Sequence, residues 1–293
     1  MGFINEEGKF NENSYMIDGL IFRLPKQLSV YVVENEGERL MIDTGVALST
    51  RKVIKKLKEF NLFPIHKLFL THSHWDHVQG YNKLKKAMPD FETLASEKAI
   101  DNLKNPEKLN DIYGYKVNSI DNVTPLKEAD IIDLNGLELE VINLFGHTQD
   151  SVGLIDWKNK NIFTGDAIAS QMDRETYQPI LMPPDFNEQE LLNSFKKVKA
   201  LKDELKSISL NHFGVWTNED FYELLGKLTE LHITTKDAII EWYKEAPSLK
   251  YIAEQYHKTF IPDSTIHTEE NLMGFEMVME WVINGLKTSG LID

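Results

Sequence analysis

The apolar run Leu68-Phe69-Leu70 ends at Thr71, and the next six residues are His72-Ser73-His74-Trp75-Asp76-His77. A strand expected over 67–70 therefore delivers three imidazoles and a carboxylate to one end of a sheet. In extended backbone, side chains two residues apart point the same way, so His72 and His74 present side by side. Asp76 and His77 break that period and turn toward a second position beside the first. Neutral imidazole is the commonest protein metal ligand, and a neighbouring carboxylate adds charge for a divalent ion. The segment reads as a metal site rather than as a polar loop that happens to be rich in histidine.

Three further segments each set one candidate ligand at a strand end, where loops on a rigid scaffold collect active sites. The apolar stretch 137–144 ends in Phe145-Gly146-His147-Thr148. Ile162-Phe163 leads through Thr164-Gly165 to Asp166, and Ile208-Ser209-Leu210 leads through Asn211 to His212. A lone histidine at a strand end is more often structural; the weight lies in the set and its order. The chain has no cysteine, so disulfides and thiolate zinc sites are excluded and histidine and carboxylate must carry any metal.

The order His-x-His-x-Asp-His, Gly-His-Thr, Gly-Asp and a late histidine resembles the metallo-β-lactamase superfamily. Leu40-Met41-Ile42-Asp43-Thr44-Gly45 is similar to that family's first motif, an aspartate after a buried strand. The resemblance runs from about 30 to 212. It implies an α/β fold, the αββα sandwich, with helices on both outer faces. It implies one metal held by His72, His74 and His147, a second held by Asp76, His77 and His212, and Asp166 bridging them. Asp43 in this pattern holds the loop that carries the histidines. Thr148 reads as a turn hydroxyl. The implied activity is that of a dinuclear metal-dependent hydrolase using a metal-bound hydroxide on an ester-like bond: a thioester, lactone, ester or phosphoester. Asp76 and Asp166 are the implied catalytic carboxylates. Zinc is the implied cofactor, two ions per site, although an all-nitrogen-and-oxygen ligand set also suits iron or manganese.

Some relatives do not fit. Flavodiiron oxidoreductases carry Glu where this chain has His74, and nucleases with an inserted domain need far more chain between Asp166 and His212. N-acyl homoserine lactonases place a tyrosine three residues after the bridging aspartate, where Ala169 stands here; Tyr177, in the following loop, reads as a surface tyrosine. Glyoxalase II shares the metal motifs and a helical C-terminus, but its basic glutathione-contacting signature has no match. Two alternatives stay open. One is a mononuclear-iron oxidoreductase of the persulfide dioxygenase type, using counterparts of His72, His147 and Asp166 alone. The other is a non-catalytic binding protein of the same fold.

At 293 residues, one large domain or a domain plus an extension is expected. The reading here is a catalytic domain over 1–232 and a helical extension over 233–293. Net charge is −14, acidic on both sides of His212, which speaks against nucleic acid and leaves a small-molecule substrate. No stretch approaches the ~18 apolar residues of a membrane span, and the first residues lack a basic-then-apolar leader, so a cytoplasmic protein is the default. Strands are expected over 28–33, 39–43, 67–70, 161–164 and 207–210, and helices over 46–60, 78–88 and 188–201. The extension reads as helices over 219–231, 235–245, 249–257 (with Ser248 as cap) and 269–286. The last carries a stripe of Leu272, Phe275, Met279, Val282 and Leu286. That stripe either packs on its own core or meets a symmetry mate, giving a homodimer in which one tail roofs the partner's cleft. His232, His257 and His267 read as surface or packing residues.

Overall fold

Alternation along the strands sets the layers. In Ser29–Asn35, Val30 and Val32 join one apolar cluster while Tyr31 and Val33 join another. A strand with both faces buried belongs in the middle of a sandwich. The computed structural model describes residues 2–268 and 272–293. Its first sheet has the spatial order Gly8–Lys9, Ser14–Asp18, Ser29–Asn35, Glu38–Ile42, Lys67–Leu70, Glu92–Ser96, Val123–Leu126. Pairing is antiparallel as far as Glu38–Ile42 and parallel beyond it. The second sheet runs Phe3–Ile4, Val215–Thr217, Ser207–Ser209, Asn161–Phe163, Val152–Asp156, Leu137–Asn143, Ile131–Leu134.

Between the sheets lie Tyr31, Val33, Ile42 and Phe69 from one and Leu139, Val141, Leu154 and Phe163 from the other. The Tyr31 hydroxyl crosses this layer, donating toward Leu210 O (2.6 Å), with Gly214 O 2.9 Å away. The outer face of the first sheet packs on the helices Thr50–Glu59 and Tyr81–Ala87 through Val53, Leu57 and Leu84. The outer face of the second packs on Glu188–Ala200 and the C-terminal helices. This is the αββα sandwich.

Two helices differ from the expectation. The helix expected over 78–88 is split into Trp75–Val78 and Tyr81–Ala87. Gly80 stands at the break, pressed so closely on the first motif that a Cβ there would lie 2.8 Å from Thr44 O. Conversely, the break expected near 232–234 is absent, and Asn218–Glu245 is one helix. Leu228, His232, Thr235 and Ile239 all face the core, and the Thr235 hydroxyl donates back to Leu231 O at 2.7 Å. Burial of that face outweighs the weak helix preference of Ile233, Thr234 and Thr235.

The helix Leu249–Phe260 starts where expected, with the Ser248 hydroxyl accepting from the Tyr251 N–H. The last helix is described from Leu272 to Thr288; its expected start at 269 lies outside the described residues. Phe275, Met279, Val282 and Leu286 are buried in the same cluster as Leu191 and Phe195 of the sandwich. The apolar stripe is thus covered by its own chain, which removes the sequence argument for a homodimer built on it. Among the described residues no helix is long and apolar enough to cross a membrane.

Candidate metal centre

All the candidate ligands leave the C-terminal ends of strands on the same edge of the sandwich. His72 and His74 follow Lys67–Leu70, and Asp76 and His77 ride on the short helix Trp75–Val78. His147, Asp166 and His212 follow Leu137–Asn143, Asn161–Phe163 and Ser207–Ser209. Two glycines allow these loops to converge. Gly146 has φ +132°, and a Cβ there would meet Leu191 at 2.3 Å; Gly165 has φ +56°, and a Cβ there would meet the Thr71 hydroxyl at 2.6 Å.

The side chains gather into two groups, each with ligand atoms within 4.8 Å of one another: His72, His74 and His147, and Asp76, His77, Asp166 and His212. Asp166 Oδ2 lies 3.3 Å from His77 Nε2 and from His212 Nε2, and 3.8 Å from His147 Nε2, so it stands between the groups. His147 Nε2 and His74 Nδ1 are 3.1 Å apart, and His212 Nε2 is 3.2 Å from Asp76 Oδ2.

Each imidazole has its outward nitrogen held. His77 Nδ1 donates to Asp43 Oδ2 at 2.8 Å, His147 Nδ1 to Ile180 O at 2.8 Å, and His212 Nδ1 to Gln27 O at 2.7 Å. His72 Nδ1 bonds the Thr71 hydroxyl at 3.0 Å, and His74 Nε2 bonds the Tyr113 hydroxyl at 3.0 Å, which itself donates to Pro183 O. These bonds place the protons on the outward nitrogens and turn the lone pairs inward. The inward His72 Nε2, His77 Nε2 and Asp166 Oδ1 are buried and have no hydrogen-bond partner. Leaving such atoms unpaired costs about 1–3 kcal/mol each. Inward lone pairs on nitrogen and oxygen, converging and unpartnered, fit divalent metal ions.

The charge of the two groups differs. Burial and the neighbouring imidazoles hold His72 well below its ordinary value, and burial with His147 holds His74 at about 3, so both are neutral. Burial also opposes charge on His212 and His77, but the facing carboxylates outweigh it: Asp166 and Asp76 raise His212 to about 10 and push His77 well up. Burial alone would raise Asp166, but His212 and His77 pull it well below the usual carboxylate range. The negative charge that retains protons on this side is charge that a bound cation would neutralise instead.

Sequence reasoning placed Asp43 beneath this loop, and there its Oδ1 accepts from the Thr71 N–H and its Oδ2 from the Thr71 hydroxyl, both at 2.8 Å. It missed Asn211, whose amide donates to Asp43 Oδ2 at 2.7 Å. It also missed Asp150, which accepts from the Ser73 and Thr148 hydroxyls, each at 2.6 Å, and ties the two ligand loops together. Thr148 is part of that brace. Tyr177 is a correction: it is buried, not at the surface, and it does not line the site. His232 and His257 are buried packing residues, whereas His267 lines the cavity above the cluster. That cavity, about 340 Å³, has His74, Asp76, His147, Asp166 and His212 at its floor and the last helix at its roof.

Residues 23–209 match the model of the family described as the metallo-beta-lactamase superfamily. The chain belongs to that superfamily. A probable metallo-hydrolase of Streptococcus pyogenes serotype M6 is 26% identical over 195 residues, 64% of this chain and 77% of its own. Hydroxyacylglutathione hydrolase 1 of Vibrio vulnificus is 24% identical over 218 residues, 74% of this chain and 73% of its own. A metallo-beta-lactamase family protein of Thermus thermophilus has the same fold, with TM-score 0.67 and 16% identity over 96% of this chain and 95% of that one. The converging side chains described above are groups that could hold metal ions, as expected of a member of this metallo-hydrolase superfamily.

Proposed function

We propose that this superfamily member is a dinuclear hydrolase of an ester-like bond in a small molecule, with thioesters and esters ahead of lactones and phosphoesters. The observation that carries the reading is the pair of abutting ligand groups in which the inward His72 Nε2, His77 Nε2 and Asp166 Oδ1 lack partners while each imidazole's outward nitrogen is fixed. The hydrolase names of the relatives from Streptococcus and Vibrio support it. His72, His74 and His147 would hold one ion, Asp76, His77 and His212 the other, with Asp166 between them. Zinc is the assigned metal, and iron or manganese suits the same donors. Two bound divalent ions would supply the charge that activates water and polarises the bond under attack.

The chain's own residues do the rest. Asp43, Thr71 and Asn211 fix the histidine loop from below, so the ligands need no rearrangement on binding. Asp76 and Asp166 line the cavity floor and are assigned the proton transfers, Asp166 to the leaving group. Residues 1–232 carry this chemistry, and 233–293 close the cavity from above.

Elemental analysis of the purified protein, followed by a panel of thioesters, esters, lactones and phosphodiesters, tests the proposal. About two metals per chain and turnover of the panel are expected. A reproducible single iron would favour the persulfide dioxygenase type, and no turnover of any generic ester would favour a binding protein.

A further inference from the structure

The wall above the metal cluster is aromatic. Trp75, the residue between the ligands His74 and Asp76, stacks on Tyr115 with ring centroids 3.8 Å apart. Phe22 lies 6.1 Å from Tyr115, and Trp281 lies 5.4 Å from Tyr113 and 6.4 Å from Tyr115. Met277 closes the same wall, its sulfur 3.7 Å from the Tyr115 hydroxyl. At the mouth Phe22 and Leu24 remain 43% and 40% exposed, an apolar lip.

Among the described residues, charge is missing from this wall. Among the described residues lining the cavity there is no lysine or arginine, and the only carboxylates are Asp76 and Asp166 on the floor. Arg23 sits between Phe22 and Leu24 in sequence but does not line the cavity, and Lys26 nearby is paired with Glu6 at 2.6 Å. Above the floor histidines the remaining polar groups of the wall include Gln27, Ser170, Gln178 and His267, none of them charged, His267 because burial lowers it to about 4. An anionic substrate arm placed here would lose its hydration without gaining a cationic partner, whereas an apolar arm gains by leaving water.

We infer that, given the hydrolase reading above, this site selects esters or thioesters with an uncharged, apolar acyl arm laid along the aromatic wall. It selects against acyl arms that carry a carboxylate. The tail contributes Met277 and Trp281, so the C-terminal helix sets specificity for the same chain's site.

The test uses the full-length, metal-loaded protein and p-nitrophenyl esters from acetyl to decanoyl, with a matched ten-carbon arm ending in a carboxylate. Burying one methylene contributes ~0.8 kcal/mol, so kcat/KM should climb by up to about fourfold per methylene along the series. The carboxylate-ended arm should be at least about tenfold slower than decanoyl. Trp281→Ala should lower the decanoyl-to-acetyl ratio about tenfold or more. In parallel, decanamide, neutral and resistant to hydrolysis, is titrated against tryptophan fluorescence, and saturable binding weakened by Phe22→Ala is expected. Rates flat across chain length, or as fast on the carboxylate-ended arm, would overturn the assignment of the cavity and leave the hydrolase reading standing. Saturable decanamide binding in a protein that turns over no ester would do the reverse. Absence of both binding and turnover would overturn the cavity assignment and the hydrolase reading together.

Discussion

At the floor of the cavity each imidazole is held by a bond to its outward nitrogen, from Asp43, Thr71, Tyr113, Ile180 or Gln27. At the roof, Phe22, Trp75, Tyr115 and Trp281 contact one another ring on ring. The floor is directional and charged; the roof is non-directional and neutral. A hydrogen-bonded floor tolerates almost no change of residue type, since each bond has one geometry. A roof of packed rings fixes shape and dryness but not identity. The chemistry of such a site can thus stay constant while its specificity changes with the residues above it.

Removing a floor residue that stands between the two ligand groups should have the largest effect. Asp166→Ala takes away the carboxylate standing within 3.3 Å of both His77 and His212. Activity and at least one metal should be lost, beyond the ~10–100-fold typical of an outer partner, with circular dichroism unchanged. Retention of both metals and near-normal turnover would show that floor and roof had been wrongly divided. The next effect falls on the far side of the roof helix, where Phe275 is fully buried. Phe275→Ala should cost about 3–5 kcal/mol in denaturant unfolding. A loss below ~1 kcal/mol would mean that the tail is not packed on its own core as described.

Smaller effects separate the bonds beneath the floor. Asp43→Asn keeps a residue type that tolerates the φ of +59° found there, but it replaces an oxygen that accepts from His77, Thr71 and Asn211. Metal affinity should fall ~10–100-fold, read by competition with a chelator. Tyr113→Phe, which leaves the His74 Nε2–H without its acceptor, should fall at the lower end of that range. A larger loss for Tyr113→Phe than for Asp43→Asn would reverse the assigned order of support.

The difference between floor and roof also governs what could be read from the sequence. His72, His74, Asp76 and His77 lie within one short segment, and their spacing alone places them at one point. His147, Asp166 and His212 each end an apolar strand, a local signal that a superfamily pattern then orders. Their supporting partners carry no such signal. Ser73 and Asp150 are 77 residues apart, His74 and Tyr113 are 39 apart, and Tyr115 and Met277 are 162 apart. Only the finished topology joins them. The strands Ser29–Asn35 and Lys67–Leu70 were legible because both faces are apolar, whereas Phe3–Ile4 and Gly8–Lys9 are too short to show a period. The uninterrupted helix Asn218–Glu245 was illegible for the opposite reason: its local sequence argues for a break that tertiary burial overrules.

The smallest effect tests whether the roof is as neutral as its packing suggests. His267 is buried in the cavity wall, with Gln178 Nε2 against its Nε2, and burial lowers it to about 4 from an ordinary value of 6.5. A histidine depressed in the fold is neutral there while its unfolded counterpart gains a proton below about 6.5. The unfolded chain then binds more protons, so this contribution to stability is complete above pH 6.5. It drains away as the pH falls toward 4, and below that both states are charged and nothing more is lost. His267→Gln keeps an acceptor for Gln178 but cannot titrate. Unfolding at pH 7 and pH 4.5 under matched conditions should therefore show the variant losing on the order of 2 kcal/mol less than the wild type. Equal losses would mean that His267 titrates in the fold as it does in the unfolded chain, near 6.5. The wall would then gain a cation at mildly acidic pH, and selection against anionic arms would weaken there.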